Sequence, residues 1–285
     1  MSALAADDAE RRRRESEFHD RSAETIDLDH VLVDETFTSV TAVENQFVLA
    51  QFGDLRGKRV LDYGSGLAEG GIYMAKLGAE VVAMDVSAKM LTSAKTLAAR
   101  HGVTLETRLV STDDLPAADS EFDLVYGNGV LHHVPLETAI PELARVMRQN
   151  GRGCFIEPLP DNPVINVYRK MADKVRTDDE RPITEADREG LKRYFTSVAH
   201  KEFWLTTLAV FLKFYLIDRV HPNEERYWKK IYSDADKLSG LFTPLNRVDN
   251  WVLARLPWLG RFCWNSVITV DRPRMDALSS AQVAL

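Results

Sequence analysis

An α/β fold, doubly wound about a mostly parallel sheet, is what this sequence predicts, and three features predict it. Short apolar runs alternate with amphipathic stretches from Lys58 to Glu157. One run, Val60-Leu61-Asp62, passes straight into the turn Tyr63-Gly64-Ser65-Gly66. A β-rich segment, residues 262–270, returns after a long helical stretch. Strict alternation of strand and helix means parallel strands joined by right-handed crossovers, with helices on both faces.

Residues 1–29 are charged and weakly patterned, and are expected to fray at their start. Residues 41–52 read as a helix, with Val43, Phe47, Val48 and Phe52 near helical spacing. Gly53, Asp54 and Gly57 then mark a turn. Strands are predicted over 59–62, 80–84, 103–110, 122–126 and 153–157. Between them fall helices over 67–77, stopped by Gly78, and 87–100, capped by Ser87 and stopped at Gly102. A third, 136–147, stops at Asn150 and Gly151. After Pro158 the alternation breaks. Residues 163–175 and 184–195 read as helices, the second opened by a capping-box-like pair, Thr184 and Asp187. Residues 197–203 can form a strand. Residues 204–261 read as a helical insertion before the closing strand. The expected organisation is an N-terminal helical segment (1–56), a ligand-binding α/β domain (57–203), a helical cap (204–261) and a closing strand with its tail (262–285).

The chain has 285 residues, 45% of them hydrophobic, enough for a substantial core. Its formal net charge is −7. Nucleic-acid binding needs clustered cations, and no such field is present, so no nucleic-acid partner is expected. The dense basic run Arg11–Arg14 is hemmed in by Asp7, Asp8, Glu10, Glu15 and Glu17, and reads as a solvated helix face or a loose tail. Two cysteines, Cys154 and Cys263, make neither a disulfide framework nor a zinc pattern. They read as packing residues in a reducing, cytoplasmic setting, and no metal is expected. The first residues lack an apolar h-region, so no signal peptide is expected. The most apolar stretch, 203–217, is shorter than the roughly 20 residues of a membrane span.

The run Val60–Gly66 carries the chemistry. In a doubly wound sheet ligands bind beyond the carboxyl ends of the strands, and glycines there admit them close to the backbone. The next strand, Glu80–Asp85, ends in an acid about 20 residues on, the spacing for gripping ribose hydroxyls. A dinucleotide fingerprint would want glycine three places after Gly66, but Glu69 stands there. A carboxylate at a helix N-terminus repels a pyrophosphate. Asp62 adds to that negative charge, so the acids suit a cationic ligand.

Taken in order, these motifs resemble class I S-adenosylmethionine-dependent methyltransferases. Val60–Gly66 is similar to the family's first motif and the segment around Asp85 to the one after it. Asp113-Asp114-Leu115-Pro116 resembles the adenine-side loop, Phe122–Tyr126 with Val130-Leu131-His132-His133-Val134 the fourth-strand motif, and Gly151–Pro158 the fifth. The chain departs at Ala68, where many members carry a third glycine, and at Ser111, where many carry an acid facing the adenine amino group.

The resemblance implies a Rossmann-like sheet of seven strands, S-adenosyl-L-methionine as cofactor and a small-molecule acceptor. It implies that Asp62 orients the methionine amino group, that Gly64, Ser65 and Gly66 lie against the methionine portion, and that Asp85 and Val86 hold the ribose. Thr112 and Asp113 would flank the adenine, and Asn128 would line the methyl-transfer pocket. In the family's usual strand order Cys263 and Cys154 lie on adjoining strands and could be neighbours.

His132 and His133 are candidate general bases, since imidazole takes a proton near neutral pH. The alternative is that they open a helix and serve packing. Glu157 is a candidate substrate residue, or a structural hydrogen-bonding one. Arg169, Lys170, Arg176 and Arg181 could bind a carboxylate or cover a helix surface. Phe203, Trp204, Leu208, Phe211, Phe214 and Ile217 leave almost no polar face, so this segment should be buried. The sheet, a second subunit in a homodimer, and an apolar acceptor or membrane surface are all open as its partner. Residues 163–261 could then form a lid that excludes water. Two other functions remain open: a noncatalytic cofactor-binding partner subunit, and a nicotinamide-dependent oxidoreductase, against which Glu69 argues.

Overall fold

The computed structural model describes residues 3–110, 114–171 and 181–274, with side chains from residue 10 onward. Seven strands form one sheet: β1 (Arg59–Tyr63), β2 (Glu80–Asp85), β3 (Glu106–Leu109), β4 (Phe122–Asn128), β5 (Met147–Pro158), β6 (Phe195–Phe203) and β7 (Asn265–Pro273). Their order is β3-β2-β1-β4-β5-β7-β6. Strands β1 to β5 pair in parallel, and β7 runs antiparallel between β5 and β6. The predicted doubly wound, mostly parallel seven-stranded sheet is what the chain forms. The strand order reverses between β1 and β4, the switch point where such sheets bind ligands.

The helices are α1 (Ala3–Thr25), α2 (Glu35–Thr38), α3 (Val43–Phe52), α4 (Glu69–Lys76), α5 (Ala88–Arg100), α6 (Leu136–Val146), α7 (Pro163–Met171), α8 (Glu185–Leu191), α9 (Ala209–Leu216), α10 (Tyr227–Ser233) and α11 (Ala235–Arg255). Local chemistry sets several ends. The Ser87 hydroxyl caps α5 by accepting from the Met90 amide, and Thr184 with Asp187 completes a capping box on α8. One large core packs α3, α9, α10 and α11 against one side of the sheet, and a second packs α6 against the other.

Residues 3–25 form one helix, the helical of the two readings open for Arg11–Arg14, and its Asp20 and Glu24 find partners at the start of α5 (Ser87 Oγ, the Lys89 amide and the Lys89 ammonium). Other expectations change. The helix expected over 184–195 stops at Leu191, and Phe195 already pairs with Pro273 in the sheet. The predicted helical insertion is three helices, α9, α10 and the long α11, which runs through Pro244 while Leu238 and Phe242 are buried. The apolar stretch of α9 is only half covered: Val210, Phe211 and Phe214 are buried, whereas Leu212, Tyr215, Leu216 and Ile217 face outward. The part of the 163–175 helix beyond Met171, with Arg176, lies outside the described residues.

Asp249 of α11 ties this region together. Its two oxygens accept from the amides of Leu205, Thr206 and Thr207 and from both threonine hydroxyls, at 2.5–3.2 Å. A carboxylate from one helix thereby satisfies the orphan donors that start the next. Cys154 and Cys263 are both buried but are not neighbours. Cys154 stands opposite Thr269, with Sγ 3.7 Å from its hydroxyl, and Cys263 precedes β7. Burial pushes the Cys154 thiol up to about 12, and the Cys263 thiol further.

Candidate functional site

A cavity of about 970 Å³ opens beyond the carboxyl ends of β1, β2 and β4, and Asp62, Gly64, Ser65, Gly66, Asp85, Val86, Asn128, His132 and His133 all line it. In-register pairing of β1 with β2 and with β4 puts these strand ends side by side. Thr112 and Asp113, expected on the adenine side, lie outside the described residues.

Asp62 ends β1 at 3% exposure, and its Oδ2 accepts from the Gly71 amide at 2.9 Å. Burial pushes its carboxyl up to about 8, helped by the nearby charges of Glu69 and Asp85. Asp85 ends β2. Its Oδ2 accepts from the Gly66 amide and its Oδ1 from the Ser87 amide, each at 2.8 Å. Each oxygen keeps a lone pair for a further donor. Burial raises this carboxyl as well. Both groups are therefore short of positive charge, which is the deficit a cationic ligand with ribose hydroxyls would fill.

The turn between them is shaped for close approach. Gly64 has φ +66, and a Cβ there would lie 2.3 Å from Val130 Cγ2. Gly66 has φ +53 with open space where its Cβ would be. The Ser65 hydroxyl is buried with no hydrogen-bond partner among the described residues. Ala68, in place of a third glycine, is held in the left-handed region at φ 56. That conformation costs an L residue about 1–2 kcal/mol, so the departure is a strained one.

Three polar groups cluster beside the cavity. Glu157 is 1% exposed and stands behind the cavity wall, not in it. Its Oε1 accepts from the Val130 and Leu131 amides at 3.1 and 2.7 Å, and its Oε2 lies 2.7 Å from His132 Nδ1. These contacts fit the structural hydrogen-bonding alternative of the two roles open for it. A carboxylate can only accept, so the His132 Nδ1–H donates and Nε2 is left as the basic nitrogen. His133 faces the N-terminal helix instead, with Nδ1 3.5 Å from Glu15 Oε1. The other Glu15 oxygen is 3.5 Å from His19 Nε2.

The sequence did not single out α1 as part of the site. Arg11, Arg12, Glu15, Phe18, His19 and Ser22 nevertheless line the cavity. Its apolar residues are too few to draw a helical stripe, and its hold on α5 is polar. A second group was also missed. Glu44 and Asn45, on α3, reach the far end of the cavity. Glu44 is 3% exposed; its Oε1 accepts from Asn265 Nδ2 at 2.8 Å, and its carboxyl also faces the Trp204 indole N–H. Burial raises its pKa. Asn45 Oδ1 accepts from the Tyr126 hydroxyl at 2.9 Å. The polar pair Glu44 and Asn45 within the mostly apolar helix α3 was the available signal. Glu69 lines the cavity too, its pKa raised by burial and drawn back by the Lys229 ammonium of α10.

Comparison with known proteins follows this geometry. Residues 61–155 match a family model described as a methyltransferase domain. A ubiquinone biosynthesis O-methyltransferase of Bordetella parapertussis is 35% identical over 115 residues, 39% of this chain and 46% of that protein. An uncharacterized protein of Mycobacterium tuberculosis is 34% identical over 113 residues, 39% of this chain and 41% of it. The matched stretch spans less than half the length of these curated relatives. Among solved structures, a geranyl diphosphate methyltransferase in complex with geranyl diphosphate and sinefungin superposes with a TM-score of 0.53 at 16% identity, covering 81% of this chain and 78% of that one. A phosphoethanolamine N-methyltransferase of Haemonchus contortus gives 0.52 at 15% identity, covering 81% and 53%. These superpositions speak for the fold.

Proposed function

We propose, from the premise that residues 61–155 match a methyltransferase-domain family model, that this protein transfers a methyl group from S-adenosylmethionine to a small acceptor. The observation that carries this is the pair of buried, charge-starved carboxylates, Asp62 and Asp85, flanking a turn bare of side chains at the sheet's switch point. When bound, S-adenosylmethionine would supply an electrophilic methyl group on a sulfonium. Asp85 would hold the ribose hydroxyls, and Asp62, with the Ser65 hydroxyl, the amino-acid end. α1 would cover the nucleoside side, and Val86 and Met90 would pack against it.

The acceptor would enter the other end, walled by Tyr126, Ile156, Ile165, Tyr168 and Trp264. These side chains favour an apolar or aromatic body. Glu44, which lines this end, would accept a hydroxyl or amine hydrogen on it. The O-methyltransferase relatives support a hydroxyl. His132, held by Glu157, would remove the proton as the nucleophile attacks, while Asn128 sits at the strand end between the two compartments. Holding the reacting atoms in line can supply much of the rate.

Calorimetry with S-adenosylhomocysteine tests the reading. Binding should occur, and Asp85→Ala should weaken it roughly 10- to 100-fold, the worth of hydrogen bonds to a charged group. No binding to the wild-type protein, or undiminished binding to the variant, refutes it. Binding without methyl release to any phenolic or amine acceptor would leave the noncatalytic partner as the better reading.

A further inference from the structure

Helix α11 has two apolar faces, and only one of them is used. Leu238 and Phe242 are buried on the inner face with Asp249. On the outer face Leu241, Pro244, Val248 and Trp251 follow one another at intervals of three, four and three residues. That places them on one stripe about 15 Å long. Trp251 is 58% exposed, and the stripe's chain continues to the exposed Leu256 and Trp258, the latter at 61%.

Charge distinguishes this face from the rest of the molecule. The chain as a whole carries −7. Between Leu238 and Trp264 the charged residues are Arg247, Arg255, Arg261 and a single acid, Asp249, which is buried. The three arginines are exposed, and the Arg255 guanidinium lies over the Trp251 ring at 4.3 Å. Exposed tryptophan, aliphatic side chains and arginine with no exposed acid among them make a surface complementary to one that is apolar within and anionic at its edge.

We propose that this face docks the protein on an anionic lipid bilayer, with Trp251 and Trp258 at headgroup depth and the three arginines against lipid phosphates. A second copy is a poorer occupant. In a two-fold dimer the patch meets itself, and arginine would face arginine with no exposed acid of the patch to pair it. Attachment would be to the surface, since no helix among the described residues is long and apolar enough to cross a membrane. The proposal does not depend on the methyl-transfer reading.

Co-sedimentation of the full chain with vesicles tests it. The protein should bind vesicles of phosphatidylcholine mixed with phosphatidylglycerol and bind pure phosphatidylcholine about 100-fold more weakly, at about fivefold per arginine. Salt should reverse the binding. Trp251→Ser with Trp258→Ser, and separately Arg247→Glu with Arg255→Glu and Arg261→Glu, should each abolish it while the circular-dichroism spectrum is kept. These positions are exposed, so the variants should fold. Absent binding, equal binding to both vesicles, or binding unchanged in either variant overturns the proposal. So does a concentration-dependent dimer in sedimentation velocity that the tryptophan variant dissolves, which would make the face a self-association surface.

Discussion

Asp62 binds a proton in the folded, ligand-free protein that it would not hold when unfolded, because burial raises its carboxyl from 3.8 to about 8. The folded state therefore holds more protons across that window, and stability falls as pH rises through it. The melting temperature of the ligand-free protein should decline from about pH 4 to about pH 8, and Asp62→Asn should flatten the decline. An ammonium group brought to Asp62 reverses the preference, so S-adenosylhomocysteine, through its α-ammonium, should bind more tightly as pH rises toward 8, with release of a proton that calorimetry in two buffers will count. His132 gives a second outcome at this scale. His132→Gln should lower kcat by about 10²- to 10⁴-fold with little change in cofactor affinity. Glu157→Gln, which spares the shape but loosens the imidazole, should displace the pH profile of kcat. Equal losses in binding and in rate would mark both residues as structural.

At the scale of elements, α1 is the part whose role the fold reveals. It is fastened to the start of α5 through Asp20 and Glu24, and its inner surface lines the cavity together with the carboxyl end of β2. Its sequence includes the run Arg11–Arg14, a ready target for trypsin, and Arg11 and Arg12 line the cavity. Cleavage in that run should slow markedly when S-adenosylhomocysteine is bound, because a filled cavity holds the helix down. Unchanged cleavage at saturating ligand would show that α1 does not close over the nucleoside. We propose α1 as a further cover of the cavity, from the opposite end of the chain to the one expected to supply a lid.

At the scale of the whole molecule, the sheet divides its labour. Its edge formed by β6 and β7 carries the helices α9 to α11, while the switch point between β1 and β4 carries the charged cleft. The cysteines report on the integrity of this arrangement. With Cys154 raised to about 12 by burial and Cys263 higher still, neither should react with a thiol reagent at pH 8 until the fold opens. The rate of alkylation should then follow the rate of unfolding. Fast labelling of either thiol in the folded protein would contradict the packing described for that region.

The cofactor end of the site was legible in the sequence because it is made locally. A strand, its terminal acid and a glycine turn are consecutive residues, and the second acid comes at the spacing one crossover requires. For the same reason the parallel sheet and the caps at Ser87 and Thr184 could be read off short stretches. Only the tertiary structure decided what depends on residues far apart in the chain. Glu157 came to lie against His132, α1 became a wall of the cavity through two of its own carboxylates bound at the start of α5, and Glu44 came to line the cavity between Asn265 and Trp204. Such pairings leave no periodic trace. A carboxylate's role is set by which donors the fold brings to it, and apolar side chains like those of α9 face the core or the solvent according to how much of the core its neighbours have already filled.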